Sequence, residues 1–228
     1  MAMRLEKIVP FGRSWNEYCQ MFNLTETDLA GKIIGVGDGP ASFNAEMNQR
    51  NHCVISIDPI YQFTAQEIHK RFYEVVDSVI EQVRKTPEDW VWSYHKSADD
   101  LKQNRIQTLE KFLQDYDAGK QEGRYLEGEL PQLGFDDRTF DLALCSHLLF
   151  LYSEQLNYEF HLQSILEMLR IAREVRIFPL VTLMLDRSPH LDPITAALTH
   201  QGYEAVIHPV SYEFQKGGNQ MLVVRRSA

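Results

Sequence analysis

Three glycines at alternate positions directly follow a short apolar run near the start of the chain. The segment reads "GKIIGVGDGPASFNAEMNQR" over residues 31–50, and the glycines are Gly35, Gly37 and Gly39. Because a glycine within regular structure costs about 0.5–1 kcal/mol relative to alanine, this spacing indicates a sharp bend or a close approach of the backbone to a ligand. The pattern predicts a strand, a glycine turn and a helix.

An acidic residue ends the next predicted strand. The apolar run "CVISID" stops at Asp58, nineteen positions after Gly39, and Pro59 follows it. Ligands of open parallel sheets bind beyond the carboxyl ends of the strands, where a carboxylate at about this interval accepts hydrogen bonds from ribose hydroxyls. The sequence therefore predicts a nucleoside site. The alternatives are a purely structural glycine turn and an Asp58 that caps a helix or forms a turn.

The glycine spacing argues against two common nucleotide-binding classes. The dinucleotide fingerprint G-x-G-x-x-G/A needs Gly or Ala at its sixth position, where the two possible registers place Pro40 and Ser42. The P-loop pattern is also absent from the sequence. An NAD-dependent oxidoreductase and a nucleotide triphosphatase are thus disfavoured.

Strand and helix patterns alternate along the rest of the chain. The predicted helices cover residues 12–29, an amphipathic segment from Ile68 to Val83, a segment before Gly119, residues 156–172 and residues 192–201. The later strands are "RYLEGEL", "FDLALC", "EVRIFPLV", "YEAVIHPVSYEF" and "QMLVVRR", the last two joined by the turn "KGGN" as an antiparallel hairpin. This order predicts a doubly wound, mostly parallel seven-stranded sheet. We expect one domain over residues 1–228, with an N-terminal helical cap (1–30) and a helical crossover with an insertion (61–123).

Composition and charge restrict the partners. The chain has 228 residues, a net charge of −9, 44% apolar residues and 24% charged residues, which is typical of globular proteins and argues against a nucleic-acid partner. Its longest apolar runs are far shorter than the roughly 20 residues of a membrane span. The start of the chain lacks a secretory pattern, so a cytoplasmic location is expected. Three cysteines without paired spacing predict reduced thiols and no metal site.

Four segments in this order resemble the class I S-adenosylmethionine-dependent methyltransferases. "IIGVGDGPA" is similar to the first motif of that family and "VISIDP" to its ribose-binding strand end. "EGELPQLGFDDRTFDLALCSHLLF" is similar to its third and fourth strands, and "ILEMLRIAREVRIFPL" to its next helix and fifth strand. The antiparallel C-terminal pair also matches the family. The resemblance implies a Rossmann-like fold and S-adenosylmethionine as the cofactor.

The resemblance also implies a set of cofactor-binding residues. The glycine turn would lie against the methionine and ribose portions, Asp58 would bind the ribose, and the ends of the third and fourth strands would hold the adenine and the methionine. The alternative for Glu129 is that it is simply a solvated acidic residue in a loop. The family commonly carries an acid where this chain has Gly35, so one anchor of the cofactor's ammonium group is missing. The full set is Gly35, Gly37, Asp38, Gly39, Asp58, Pro59, Glu129, Leu130, Cys145 and Ser146.

Methyl transfer from a sulfonium requires alignment of the reactants, and a base only where the acceptor atom carries a proton. His147, directly after the fourth strand, is the candidate base; the alternative is that it caps or packs the strand end. Trp90, Trp92 and Tyr94 either pin the inserted helix or wall a substrate pocket or contact surface. Tyr212 or Phe214 of the final hairpin faces the site in one interpretation.

The sequence thus predicts a methyltransferase with a small-molecule or protein acceptor and no nucleic-acid or membrane partner. The crossover helices and the N-terminal helix would form a lid over the acceptor. The alternative is a sensor or scaffold that binds S-adenosylmethionine or S-adenosylhomocysteine without catalysis.

Overall fold

The computed structural model describes residues 9–226, and the strands of this part of the chain form one seven-stranded sheet. They are β1 (Ile33–Val36), β2 (Val54–Ile57), β3 (Tyr125–Leu126), β4 (Phe140–Ser146), β5 (Ala172–Phe178), β6 (Tyr203–Pro209) and β7 (Gln220–Arg226). The strand order is β3-β2-β1-β4-β5-β7-β6. Strands β1 to β5 pair in parallel, whereas β7 runs antiparallel to both β5 and β6. The predicted fold class is confirmed.

Helices cover both faces of this sheet. They are α1 (Trp15–Met21), α2 (Glu26–Ala30), α3 (Phe43–Gln49), α4 (Ala65–Lys85), α5 (Ala98–Gln121), α6 (Tyr158–Ile171) and α7 (Leu191–His200). Capping boxes at Ser14, Thr25 and Thr64 fix the starts of α1, α2 and α4. Within residues 9–226, no helix is both long and apolar enough to cross a membrane.

Local structure differs from the sequence prediction at several points. The predicted helix over residues 12–29 is broken into α1 and α2, because Asn23 adopts a left-handed φ of +46° and Thr25 caps a new helix. Helix α5 continues past Gly119, where a side chain would meet Tyr125 at 2.5 Å. The first eight residues of the predicted N-terminal cap lie outside the described residues.

Strands β3 and β6 are shorter than the sequence predicts. The predicted strand "RYLEGEL" pairs with β2 only at Tyr125 and Leu126, after which the chain turns toward the carboxyl edge of the sheet. Strands β6 and β7 are antiparallel as predicted, but residues 210–219 form the connection in place of a four-residue turn. This longer loop places aromatic side chains above the sheet.

The hydrophobic core lies in two layers, one on each face of the sheet. One layer packs α1, α3, α4 and α5 against side chains such as Leu142 and Leu144 of β4. The other packs α6 and α7 against Ala143 and Cys145 of the same strand. Alternate residues of a strand point to opposite faces, so β4 is buried on both sides, as in parallel sheets generally.

The strand order reverses at β1. From β1 the chain proceeds to β2 on one side, and after β3 it returns to β4 on the other side of β1. The carboxyl ends of β1, β2 and β4 therefore surround the point at which open α/β sheets bind their ligands.

Candidate active site

A cavity of about 600 Å³ opens at this reversal point. Its size is within the range of small-molecule sites, roughly 300–1,000 Å³. Its wall includes the residues after β1, β2, β3 and β4, together with parts of α4, α5 and the loop 210–219. Among the predicted cofactor-binding residues, those on the wall are Gly37, Asp38, Gly39, Asp58, Pro59, Glu129, Leu130 and Ser146.

The glycine turn after β1 is fixed by backbone geometry. Gly37 and Gly39 have φ values of +72° and +55°, which favour glycine because other residues are strained there. A side chain at Gly37 would also meet Leu148 at 2.6 Å, whereas the space beside Gly39 is open. The backbone conformation of the turn therefore requires glycine at Gly37 and Gly39, and both residues also line the cavity. Their contact with a ligand stays a prediction.

Asp58 connects this turn to the end of β2. Its Oδ2 accepts a 2.8 Å hydrogen bond from the amide of Gly39, and its Oδ1 accepts one of 2.8 Å from the amide of Ile60. The second bond caps the 3₁₀ turn Pro59–Gln62. A carboxylate has about four lone-pair sites, so two acceptor positions remain. Burial raises the pKa of Asp58 to about 6, although the two amides oppose the shift.

Asp38 occupies the space next to Gly35. A side chain on Gly35 would begin 1.9 Å from Oδ2 of Asp38. The hydroxyls of Tyr18 and Ser56 each donate a 2.6 Å hydrogen bond to this carboxylate. Burial, with a smaller effect of the Asp58 charge, raises the pKa of Asp38 to about 6 despite these donors. Gly35 thus makes room for a carboxylate from the turn, at the place where its own side chain would otherwise lie.

The ends of β3 and β4 supply residues of different kinds. Glu129 is exposed, and Leu130 is buried beside it at the cavity wall. Ser146 is buried and reaches the cavity, whereas Cys145 is not among the described residues that line it. The Cys145 thiol lies in the core layer under α6, where burial raises its pKa to about 12.

His147 lies where β4 ends and has a left-handed φ of +54°. Its amide donates to the carbonyl of Phe178 at 2.7 Å, which ties the ends of β4 and β5 together. Its Nδ1 is 2.9 Å from Oγ of Ser146. Burial, together with the charges of Arg13 and Arg105, holds the pKa of His147 well below its ordinary value. The imidazole is therefore neutral near pH 7 and a weak proton acceptor.

Sequence reasoning missed a buried ionic cluster beside His147. Glu17 is fully buried and accepts two 2.7 Å hydrogen bonds from the guanidinium of Arg105, whose side chain is also buried. The hydroxyl of Tyr212 donates to the same carboxylate at 2.9 Å. Burial raises the pKa of Glu17, but the charge and hydrogen bonds of Arg105 and His95 hold it well below its ordinary value. The 88 positions between Glu17 and Arg105 leave no local sequence signal for this pair.

The aromatic residues of the insertion have two roles. Trp90 is buried, stacks on Phe214 at a centroid distance of 4.8 Å and lines the cavity with it. Trp92 contacts the edge of Phe214, and Tyr94 contacts Tyr212. These residues therefore pin the insertion to the loop 210–219, and Trp90 and Phe214 also wall the cavity. Within the described residues, no cluster of His, Cys, Asp and Glu could hold a metal ion.

One relative resembles the chain over nearly its whole length. The uncharacterized protein MJ0045 of Methanocaldococcus jannaschii is 37% identical over 225 residues, which cover 98% of this chain and 99% of that protein. No protein family model matches the sequence.

Several solved structures have related folds at low sequence identity. Magnesium protoporphyrin IX methyltransferase of Synechocystis, solved with bound S-adenosylhomocysteine, is 15% identical with a TM-score of 0.45, covering 86% of this chain and 73% of that one. An S-adenosylmethionine-dependent methyltransferase of Aquifex aeolicus is 14% identical with a TM-score of 0.43, covering 91% and 90%. The assignment of the fold therefore rests on the strand order and the antiparallel hairpin.

Proposed function

This chain belongs to the same family as the uncharacterized protein MJ0045 of Methanocaldococcus jannaschii and has the class I methyltransferase fold, and we propose that it is an S-adenosylmethionine-dependent methyltransferase. The observation that carries the proposal is the hydrogen bond between Gly39 and Asp58 at the mouth of the cavity. It places a carboxylate with spare acceptor positions directly against open space beside a glycine turn. That combination fits a ribose with two hydroxyl donors.

The residues present fit the cofactor at each of its ends. Asp58 would accept hydrogen bonds from the ribose hydroxyls, and Leu130 would contact the adenine. Asp38 would bind the ammonium group, since its carboxylate takes the place of the acid that Gly35 lacks. The cofactor supplies a methyl group that is already activated for displacement, so the chain has to align the acceptor and exclude water. Trp90, Phe214 and the other apolar residues of the wall serve that exclusion.

The low pKa of His147 limits the acid–base chemistry of the site. A neutral imidazole with this pKa accepts a proton only weakly, because general bases work best with a pKa near the operating pH. The site is therefore suited to an acceptor atom that is already free of its proton near pH 7. In this proposal His147 orients the acceptor through its free ring nitrogen, and Ser146 fixes the ring through Nδ1.

The low pKa of His147 also favours a second candidate function. Without a strong base, the chain could bind S-adenosylmethionine or S-adenosylhomocysteine as a sensor and transfer no methyl group. The two functions share the cofactor site and differ only in turnover. The cavity extends from the glycine turn to parts of α4, α5 and the loop 210–219. This extent supports the enzyme, because a sensor needs no further space for an acceptor.

Calorimetric titration tests the proposal. S-adenosylmethionine and S-adenosylhomocysteine are expected to bind to the wild-type protein, whereas NADH is not. Tight binding of NADH in their place would overturn the proposal. Turnover is then measured as formation of S-adenosylhomocysteine from S-adenosylmethionine with fractionated small molecules and proteins as acceptors. Formation that depends on one fraction supports the enzyme over the sensor.

A further inference from the structure

The cavity continues past the cofactor side into a second part, which we call the acceptor lobe. It is defined by Phe11, Arg13, Val79, Trp90, Arg105 and Phe214. Most of this wall is apolar, and its aromatic rings contact one another or the rings packed behind them. His147 lies near both arginines, since their charges lower its pKa, and therefore connects the lobe to the end of β4. Two cations on an apolar wall require an explanation.

The charges of the acceptor lobe do not balance within the described residues. Glu17 is the carboxylate behind the lobe, and Arg105 neutralises it through the two 2.7 Å hydrogen bonds. Tyr212, together with the backbone amide and hydroxyl of Ser14, donates further hydrogen bonds to Glu17. The carboxylate is thus saturated by Arg105 and neutral donors. Arg13 remains as a second cation without a carboxylate of its own among residues 9–226.

The guanidinium of Arg13 has unused donors. Its Nη1 donates to the carbonyl oxygen of Phe11. Its Nε is buried and has no acceptor within the described part of the chain, and the Nε of Arg105 is in the same situation. Burial and the neighbouring charge of Arg105 lower the pKa of Arg13 to about 10. Arg13 is half-buried, and Glu17, whose charge partly offsets this shift, is already engaged by Arg105. An anionic ligand at this position would therefore stabilise the guanidinium.

Other ionisable groups near Arg13 do not supply that anion. Burial lowers the pKa of His95, and burial with the arginine charges lowers that of His147, so both imidazoles are neutral near pH 7. Burial raises the pKa values of Tyr152 and Tyr212, so both phenols keep their protons. The acceptor lobe therefore keeps a net positive charge at neutral pH.

We propose that the methyl acceptor is an apolar molecule that carries a carboxylate, and that Arg13 binds this carboxylate in the acceptor lobe. The proposal rests on the proposed function, whose cofactor site it adjoins. A guanidinium presents paired N–H groups that match the two oxygens of a carboxylate. A single arginine suffices for that group, whereas a phosphate dianion would leave more charge and more acceptor positions unpaired. The apolar wall accommodates the body of the molecule.

Matched small probes test the proposal on the full chain. The probes are 3-phenylpropanoate, 3-phenylpropanamide and 3-phenylpropylamine, which share a body and differ in charge. Each is titrated into the wild-type protein by calorimetry, with and without S-adenosylhomocysteine. We expect the carboxylate to bind at least about tenfold more tightly than the amide or the amine. Equal affinities for the three probes, or absence of binding by the carboxylate, would overturn the proposal.

Two substitutions locate the effect. Arg13→Gln is expected to remove the preference for the carboxylate and to leave S-adenosylhomocysteine affinity within about twofold of wild type. Arg173→Gln is the control, because Arg173 is exposed at the opposite edge of the sheet and loses the same charge. Carboxylate preference retained in Arg13→Gln contradicts the role of Arg13. If the protein binds the carboxylate through Arg13 but does not bind S-adenosylhomocysteine, the proposed function is contradicted. The carboxylate site at Arg13 is not contradicted by that result.

Discussion

The amide of Gly39 donates a 2.8 Å hydrogen bond to Oδ2 of Asp58, which joins the turn after β1 to the end of β2. The bond holds the carboxylate against the open side of the turn, because nothing lies within 4 Å of the position of a side chain at Gly39. Two parallel strands thereby present one carboxylate and one bare stretch of backbone to the same cavity.

Asp58→Asn is expected to weaken S-adenosylhomocysteine binding roughly 10- to 100-fold, because a hydrogen bond to a charged group contributes about 1.5–3 kcal/mol. The amide also replaces one acceptor with a donor that opposes a backbone N–H group. Calorimetry measures the change. Asp117→Asn, at an exposed position of α5, is the control and should bind as wild type does. Unchanged affinity in Asp58→Asn would show that the carboxylate does not contact the ligand.

Gly35→Ala is expected to destabilise the fold and to weaken cofactor binding, because its methyl group would lie 1.9 Å from Oδ2 of Asp38. Displacing that carboxylate breaks its hydrogen bonds with Tyr18 and Ser56. Gly134→Ala is the matched control, since nothing lies within 4 Å of its added methyl group. Urea denaturation and calorimetry should separate the two variants. Equal stability of both would contradict the observed position of Asp38.

The affinity for S-adenosylhomocysteine is expected to fall as the pH decreases through about 6. Burial raises the pKa values of Asp38 and Asp58 to about 6, and protonation removes acceptor capacity from both. In the ligand-free protein, the pH dependence of folding stability has the opposite sign. A carboxyl with a raised folded-state pKa contributes stability at low pH that is lost as the pH rises from about 4 to about 6. Titrations between about pH 5 and pH 8 test this, and affinity that rises toward pH 5 would contradict it.

Glu17→Gln is expected to reduce the free energy of unfolding by about 3–5 kcal/mol, because it leaves the buried guanidinium of Arg105 without its anion. Asp99→Asn, which breaks an exposed ion pair with Arg84, should reduce the free energy of unfolding far less, because solvent screens exposed charge pairs. Urea denaturation measures both variants. A similar small cost for the two would mean that the buried pair contributes no more than the exposed one.

The sequence predicted those parts of the site that depend on local pattern. Glycines after an apolar run and an acid at the next strand end are local signals, and the parallel sheet brings Gly39 and Asp58 together by its topology. The hairpin at the end of the chain was predicted in the same way, although residues 210–219 form a longer connection than "KGGN" indicates.

The remaining parts depend on contacts between distant residues. Glu17 has the sequence context of a helix cap at Ser14, and only the packing of α5 against α1 converts it into the anion of Arg105. From the sequence alone, the glycine at position 35 indicates that one anchor of the cofactor's ammonium group is missing. The structure shows that Asp38 fills the space, which follows from the sharp turn at Gly37 and not from spacing.

The distance between Asp58 and the ribose in a crystal structure with bound S-adenosylhomocysteine tests the central claim most directly. We predict that a carboxylate oxygen of Asp58 lies at hydrogen-bond distance, roughly 2.6–3.2 Å, from a ribose hydroxyl, with the glycine turn against the other side of the sugar. A ligand bound in the cavity with its ribose remote from Asp58, or bound outside the cavity, would contradict it.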